Sequence, residues 1–295
     1  MHVFITGASG FVGAAVVKEL LEHGHSVTGL ARSDAAATAV EMLGARVVRG
    51  SLEDHDSLRR GVADADGVIH LGFLHDFAHF AASCVLDQRA IDAIGAALEG
   101  SQRPLLVTAG VALVAPGQLA TEAVGFKPVN PVYPRTSEAA TAALVARGVR
   151  ASVVRLAPSV HGMGDHGFVP MLADVARKQG FAGFVGAGEN RWPAVHRFDA
   201  ARLYRLALER GDIGARYHAV SEEGVPFHAI AGAIGEGLGL PVRSIPREDA
   251  AAYFGWLAGF AGSDMPASSE ETRRVLGWVP RERGLIEDVK AAGYL

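Results

Sequence analysis

Three glycines near the start of the chain have the spacing of a phosphate-binding loop. Gly7, Gly10 and Gly13 form Gly-x-x-Gly-x-x-Gly, which follows the apolar residues 3–5 and precedes a helical pattern over residues 14–22. In this context the first glycine permits a tight turn, the second lets the backbone approach a pyrophosphate, and the third lets the helix pack closely on the strand. The helix N–H groups and positive dipole end would hold the phosphates. The pattern predicts a dinucleotide site; the alternative is a tight turn that binds no ligand.

The end of the second predicted strand indicates which dinucleotide is bound. Ala31 stands where an acidic residue would bind the ribose 2′-hydroxyl of NAD, and Arg32 and Ser33 offer donors suited to a 2′-phosphate. NADP(H) is therefore the expected cofactor, and the alternative is that Arg32 is only a solvated arginine at a strand end. The expected cofactor-binding residues are Thr6, Gly7, Ser9, Gly10, Phe11, Val12, Gly13, Arg32, Ser33, Leu52, Leu71 and Gly72.

Histidines cluster where the fourth and sixth predicted strands end. His75 follows the fourth strand, and His161 and His166 lie in a glycine-rich loop after the sixth. Ligands bind at the carboxyl ends of parallel strands and histidine titrates near neutral pH, so these three are candidate substrate-pocket residues that could deliver a proton. The alternative is a helix cap and loop surface. His75 and His79 have the i, i+4 spacing of a metal pair, but no third ligand motif accompanies them, so no metal site is expected.

The elements that must position these residues alternate between short apolar strands and helices. The predicted strands cover residues 3–6, 26–31, 46–49, 67–71, 104–108, 151–156 and 215–220, and the predicted helices cover 14–22, 34–43, 54–62, 77–99, 135–147, 199–209, 226–238 and 270–276. This alternation predicts an α/β fold with a doubly wound parallel sheet. We expect a nucleotide-binding domain over residues 1–157 plus part of 192–220, and a smaller C-terminal, substrate-side lobe over 158–191 and 221–295.

Composition excludes several classes of protein. The net charge of −4 gives no support for a nucleic-acid or membrane-surface partner. No apolar run approaches the roughly 20 residues that span a bilayer, and the first strand leaves no room for a signal peptide. The single cysteine, Cys84, excludes an internal disulfide and fits a reducing compartment. We therefore expect a cytoplasmic protein whose partner is a small-molecule substrate.

Four segments resemble the extended, epimerase/dehydratase-like branch of the short-chain dehydrogenase/reductase superfamily. They are residues 6–13 (Thr-Gly-Ala-Ser-Gly-Phe-Val-Gly), 66–71 (Asp-Gly-Val-Ile-His-Leu), 195–201 (Val-His-Arg-Phe-Asp-Ala-Ala) and 276–280 (Leu-Gly-Trp-Val-Pro). The resemblance spans essentially the whole chain. It implies a Rossmann-like sheet, a small C-terminal lobe that closes over the substrate, and a homodimer formed through the helices predicted at 77–99 and 135–147.

The catalytic residues are where the chain departs from that branch. The branch typically has Tyr-x-x-x-Lys and a Ser or Thr after the fifth strand. Here Tyr133 matches the tyrosine, Ser137 stands in place of the lysine, and Gly110 aligns with the catalytic serine. Thr108 is the remaining hydroxyl at the end of that strand. The resemblance therefore implies Tyr133 and Thr108 as catalytic residues of an atypical member.

Loss of the lysine affects the two reaction directions differently. An unperturbed tyrosine has a pKa near 10, so about one part in a thousand is ionised at pH 7, a handicap of roughly 4 kcal/mol for a base. Arg135 is not expected to replace the lysine, because side chains at i and i+2 on a helix point to different faces.

A neutral tyrosine can still donate a proton to a forming alkoxide. The expected function is thus NADP(H)-dependent reduction of a ketone, an aldehyde or a related small molecule. The alternatives are an epimerase, dehydratase or isomerase that uses bound NADP, and a non-catalytic NADP-sensing protein.

Overall fold

The structure is a computed structural model that describes residues 1–126 and 134–295. In chain order its strands are β1 (His2–Thr6), β2 (Ser26–Ala31), β3 (Arg46–Arg49), β4 (Gly67–His70), β5 (Leu105–Gly110), β6 (Ala151–Leu156), β7 (Ser159–His161), β8 (Ala182–Val185), β9 (Arg191–His196), β10 (Arg216–Ala219), β11 (Glu222–Pro226) and β12 (Val242–Ile245). Its α-helices are α1 (Phe11–Glu22), α2 (Asp34–Met42), α3 (His55–Ala63), α4 (Phe80–Leu98), α5 (Ser137–Ala146), α6 (Phe168–Gln179), α7 (Arg197–Arg210), α8 (Phe227–Leu238), α9 (Ala250–Phe254), α10 (Ala258–Ala261), α11 (Glu270–Leu276) and α12 (Leu285–Val289).

Seven strands form one parallel sheet in the order β10-β6-β5-β4-β1-β2-β3. The connections reverse direction between β1 and β4, which are neighbours in the sheet. At such a switch point the loops after the two strands diverge to opposite faces and leave a crevice at the carboxyl edge. The predicted doubly wound parallel sheet is confirmed, and the glycine loop after β1 lies at this crevice.

Helices cover both faces of this sheet. Val3 and Ile5 of β1 pack toward α1 and α7, and Phe4 packs toward α3 and α4. Because both faces of the strand are buried, its sequence is a continuous apolar run and not an alternating pattern. Local caps set where the helices begin: Asp54 accepts hydrogen bonds from the first-turn N–H groups of α3, and Ser33 does the same for α2.

A further group of elements surrounds its own apolar core. It contains the small sheet β11-β9-β7, the pair β12-β8, and helices α6, α8, α9, α10 and α12. Trp192 and Phe227 are fully buried in this core. The exact domain boundaries stay a prediction. Within the part of the chain that the structure describes, no helix is long and apolar enough to cross a membrane.

Several helix boundaries and strands differ from the sequence expectation. α5 begins at Ser137 and not at residue 135, and the helix predicted over 77–99 is a 3₁₀ turn at Phe77–His79 followed by α4. Asp76 causes the early turn because its carboxylate accepts the N–H groups of Ala78 and His79. Strands β7, β8 and β9 lie outside all of the strands that the sequence predicts. These strands are short and pair with distant segments, so local periodicity does not reveal them.

Candidate active site

The turn after β1 forms a backbone cradle that leaves no room for a side chain at Gly7 or Gly13. Gly7 has φ +72°, and the N–H of Gly10 donates to the Gly7 carbonyl at 3.0 Å. A Cβ on Gly13 would overlap the Gly7 carbonyl oxygen, and a Cβ on Gly7 would lie 2.8 Å from the Gly72 nitrogen after β4. α1 begins at the next residue, Phe11, and its N-cap, Gly10, makes no side-chain hydrogen bond to the first turn. This arrangement fits the phosphates of a dinucleotide.

A chain of buried hydrogen bonds runs from this cradle to α5. The N–H of Gly72 donates to Thr6 Oγ1 (3.0 Å), and Thr6 Oγ1 lies 2.8 Å from His70 Nδ1. His70 Nε2 lies 3.1 Å from Asp87 Oδ1, and the Ser137 hydroxyl donates to Asp87 Oδ2 at 2.5 Å. The carboxylate accepts from Nε2–H of His70, and the other ring nitrogen shares a hydrogen bond with the Thr6 hydroxyl, so every group has a partner. All four side chains in the chain are at most 2% exposed.

The carboxyl group in the middle of this chain is ionised. Burial would raise the pKa of Asp87, but the hydrogen bonds from His70 and Ser137 and the nearby charge of Arg135 outweigh burial and hold that pKa below its usual value. Ser137, which stands in place of the lysine, is therefore committed to a carboxylate acceptor.

Arg135 extends across the carboxyl end of β5. Its Nε donates to Ser137 Oγ at 2.9 Å and its Nη2 donates to the carbonyl of Thr108 at 3.1 Å. The guanidinium carbon lies 4.4 Å from the centroid of the Phe73 ring. Since α5 begins only at Ser137, the helical i, i+2 argument against Arg135 was wrong: the residue precedes the helix and is free of that geometry.

Of the two expected catalytic hydroxyls, that of Thr108 belongs to the described residues. Tyr133 lies outside the described residues. Thr108 Oγ1 lies 2.7 Å from the hydroxyl of Tyr204 on α7, and Thr108 is 8% exposed. Burial raises the pKa of Tyr204, so this phenol is neutral. Thr108 is thus bonded into the sheet–helix interface, and its contact with a substrate stays a prediction.

Two of the three candidate pocket histidines face one opening. His75 is exposed beside the crevice, where partial desolvation and then the positive charges of Arg135 and His166 lower its pKa. The His166 ring packs edge-on against Phe11 at the start of α1, with centroids 5.7 Å apart. His75, Arg135 and His166 therefore meet at the cradle from the loops after β4, β5 and β7. Their contact with a substrate stays a prediction.

His161 is placed differently from the loop position expected for it. It belongs to β7 and is fully buried because that strand pairs with β9. Its Nδ1 lies 2.6 Å from Asp288 Oδ2, and the same oxygen is 3.6 Å from His196 Nε2. A role for His161 in a substrate pocket stays a prediction.

Sequence reasoning missed the C-terminal residues and the arginine that adjoin this crevice. Tyr294 donates its hydroxyl to Asp165 at 2.6 Å, and burial raises the pKa of that carboxyl group. The guanidinium of Arg197 lies 4.9 Å from the Phe11 ring centroid. Residues 195–201 carry part of the family resemblance, and Arg197, shortly before the helix predicted at 199–209, was the signal in the sequence for a functional residue.

The ribose end of the expected cofactor site carries two arginines. Arg32 is exposed where β2 ends, and Arg49 at the end of β3 donates to the Ser33 carbonyl at 2.5 Å and pairs with Asp34. A hydrogen bond from Ser51 and the charge of Arg32 lower the pKa of Glu53. The side chain of Leu52 approaches Gly72, so the ends of β3 and β4 adjoin. The expected cofactor contacts thus surround one edge of the sheet.

Comparison with known proteins identifies relatives over the whole chain. Residues 3–221 match the NAD dependent epimerase/dehydratase family. An uncharacterized protein of Saccharomyces cerevisiae is 47% identical over 293 residues, which are 99% of this chain and 98% of that protein. The 4-hydroxy-2-methyl-3-oxo-4-farnesyl-3,4-dihydroquinoline-1-oxide ketoreductase of Stigmatella aurantiaca is 28% identical over 95% of this chain and 92% of its own length. The dTDP-glucose 4,6-dehydratase DesIV of Streptomyces venezuelae, solved with NAD and TYD bound, shares the fold with a TM-score of 0.77 and 20% identity over 98% and 96% of the two chains.

Proposed function

Because the chain belongs to the NAD dependent epimerase/dehydratase family, as its four motif segments indicated, we propose that it is an NADP(H)-dependent reductase of a ketone, an aldehyde or a related small molecule. The nicotinamide, when bound, supplies the hydride. The chain itself would bind the dinucleotide in the cradle after β1, hold the carbonyl oxygen at the crevice, and deliver a proton to it.

The side chain at position 137 is the observation that carries this proposal. A lysine there would favour the ionised form of Tyr133, whereas the buried Ser137 hydroxyl is already donated to Asp87. Without the lysine, an ordinary tyrosine is only about one part in a thousand ionised at pH 7. Alcohol oxidation and epimerisation need that base, but carbonyl reduction needs a donor, which a neutral tyrosine provides. The geometry therefore favours the reductive direction.

We assign the proton to Tyr133 and a supporting hydrogen bond to His75. The lowered pKa of His75 keeps its ring neutral near pH 7, so it would hold the oxygen through an N–H group and would not be a strong acid. The name of the Stigmatella relative, a ketoreductase, supports the same reaction class.

The choice of NADP(H) depends on the edge formed by β2 and β3. Arg32 is exposed there and no carboxylate occupies position 31. A 2′-phosphate would accept charge-assisted hydrogen bonds from Arg32 and from the Ser33 hydroxyl. Glu53 and Asp34 stand nearby, so selectivity for the phosphate would arise from Arg32 and Arg49 together.

Calorimetric titration with NADPH and NADH tests this proposal. Hydrogen bonds to charged groups are worth about 1.5–3 kcal/mol, so Arg32→Ala is expected to weaken NADPH binding about 10- to 100-fold and to leave NADH binding unchanged. Arg46→Ala is the matched control, because Arg46 is exposed at the opposite end of β3. Equal loss for both cofactors would contradict the role of Arg32.

A panel of ketones and aldehydes then tests the reaction. Net NADPH consumption with stoichiometric alcohol formation is the expected result. Product formation without net NADPH consumption would point to an epimerase, dehydratase or isomerase. Tight NADPH binding with neither outcome would point to a cofactor-sensing protein.

A further inference from the structure

We propose that Arg135 supplies the positive charge next to the reacting oxygen, in place of the lysine that Ser137 replaces, and that Ser137, Asp87 and His70 position it. This inference rests on the proposed reductase function and names the group that stabilises the negative charge formed on the substrate oxygen. It assigns a residue that the sequence pattern had excluded.

The guanidinium of Arg135 is held by two of its nitrogens and by one of its faces. Nε is bonded to Ser137 Oγ and Nη2 to the Thr108 carbonyl, while the planar face lies on Phe73. Nη1 makes no hydrogen bond within residues 1–126 and 134–295. Two anchored nitrogens and one stacked face leave little rotational freedom, so the donor is ordered before any ligand binds.

The support behind Arg135 is buried and fully hydrogen-bonded. The Ser137 hydroxyl accepts a hydrogen bond from Arg135 and donates one to Asp87. The other carboxylate oxygen of Asp87 is hydrogen-bonded to His70. His70 in turn bonds Thr6, which accepts the N–H of Gly72 at the cofactor cradle. Because every member is satisfied, displacing one side chain would leave a buried polar group without a partner. The chain therefore links the orientation of Arg135 to the cradle.

The guanidinium of Arg135 forms no direct ion pair within residues 1–126 and 134–295. Among the described residues no carboxylate oxygen lies within 4.0 Å of its guanidinium, since Ser137 separates it from Asp87. This charge acts on three neighbours: together with burial it lowers the pKa of His75, it helps to lower the pKa of Asp87, and it partly offsets the burial that raises the pKa of Cys84. A cation that makes no direct contact with a carboxylate of the described residues complements an oxygen that gains negative charge, as in a carbonyl that accepts hydride.

The role of Arg135 would differ from that of a lysine, because an arginine does not release its proton at neutral pH. In the proposed reduction, a hydride from the reduced nicotinamide would add to the carbonyl carbon, the C=O π pair would move to the oxygen, and that oxygen would take a proton from Tyr133 to give the alcohol. An arginine remains protonated at neutral pH, so Arg135 would stabilise the oxyanion without giving up a proton. Arg135 would be a catalytic residue, and Ser137, Asp87 and His70 would be positioning residues.

Steady-state kinetics of Arg135→Gln, Arg135→Lys and Ser137→Ala test the assignment. Removal of one oxyanion donor costs about 10²- to 10³-fold in kcat, so that loss is expected for Arg135→Gln, with NADPH affinity within about twofold of the wild type. Arg135→Lys keeps the positive charge but loses the planar set of N–H donors, and Ser137→Ala removes the acceptor of the Arg135 Nε–H bond. Both variants should therefore show smaller reductions in kcat than Arg135→Gln. Arg89→Gln, an exposed α4 position, is the control.

NMR titration of His75 provides a readout that does not depend on turnover. If Arg135 occupies the crevice, Arg135→Gln should raise the pKa of His75, and Arg89→Gln should not. Reductase activity within twofold of the wild type in a folded Arg135→Gln protein would overturn the inference and leave the proposed function standing. NADPH binding without reduction of any carbonyl by the wild type would overturn both.

Discussion

Substitutions of two loop glycines should separate the stability of the fold from the binding of the cofactor. An added Cβ at Gly13 would overlap the Gly7 carbonyl oxygen and lie 2.8 Å from its carbon, and both atoms are backbone. An added Cβ at Gly10 would meet only that oxygen, at 3.2 Å, and Gly10 has φ −76°, which any residue adopts. The two positions are three residues apart, but they face different neighbours.

The expected loss of stability depends on whether the atoms next to the added methyl group can move. Overpacking typically costs 1–3 kcal/mol, and at Gly13 the obstacle is backbone, so Gly13→Ala should lower the free energy of unfolding by about 3 kcal/mol or more. Gly10→Ala should cost under about 1 kcal/mol, because a few tenths of an ångström relieve the contact. Its methyl group would nevertheless stand where the backbone approaches the pyrophosphate, so NADPH affinity should fall at least about tenfold.

Denaturant unfolding and calorimetric titration of the same proteins measure the two effects. Gly232→Ala on α8 is the control, because nothing lies within 4 Å of its added Cβ and alanine favours helix by about 0.5–1 kcal/mol. It should stabilise the protein slightly and leave NADPH binding unchanged. If Gly10→Ala binds NADPH as tightly as the wild type, this turn is not the phosphate site.

Two further predictions concern pH and assembly. Buried His218 donates Nδ1–H to the Ser268 carbonyl and accepts from Arg155, and burial, together with the charge of Arg155, lowers its pKa to about 4. Its contribution to the free energy of unfolding is therefore complete above the unfolded-state pKa near 6.5 and falls by up to about 1.4 kcal/mol per pH unit below that value. A His218→Asn protein that keeps the same slope in unfolding experiments from pH 7 to 4 would contradict this prediction. The proposed homodimer through α4 and α5 should give twice the chain mass by light scattering, and Val85→Glu, at a 48% exposed position on α4, should give the monomer; a dimer that persists would place the interface elsewhere.

The sequence by itself determined the seven-stranded sheet and the glycine turn after β1. The strands at 26–31, 46–49 and 151–156 agree with the structure residue for residue, because each is a short segment that contains β-branched or other apolar residues, such as Val47-Val48 in β3 and Val153-Val154 in β6. The glycine spacing after β1 is likewise a local requirement of a tight turn. These features depend on residues that are neighbours along the chain.

The tertiary structure alone decided the chemistry of the crevice. Thr6, His70, Asp87 and Ser137 are separated by up to 131 positions (137 − 6), and their hydrogen bonds exist only because β1, β4, α4 and α5 pack together. Because α5 begins at Ser137, two residues later than the pattern indicated, Arg135 lies outside the helix and reaches the end of β5. The pairing of β7 with β9 buried His161, which the local pattern had placed in a loop. Periodicity reports the burial of a segment, but side-chain partners across the sheet depend on packing that no local pattern encodes.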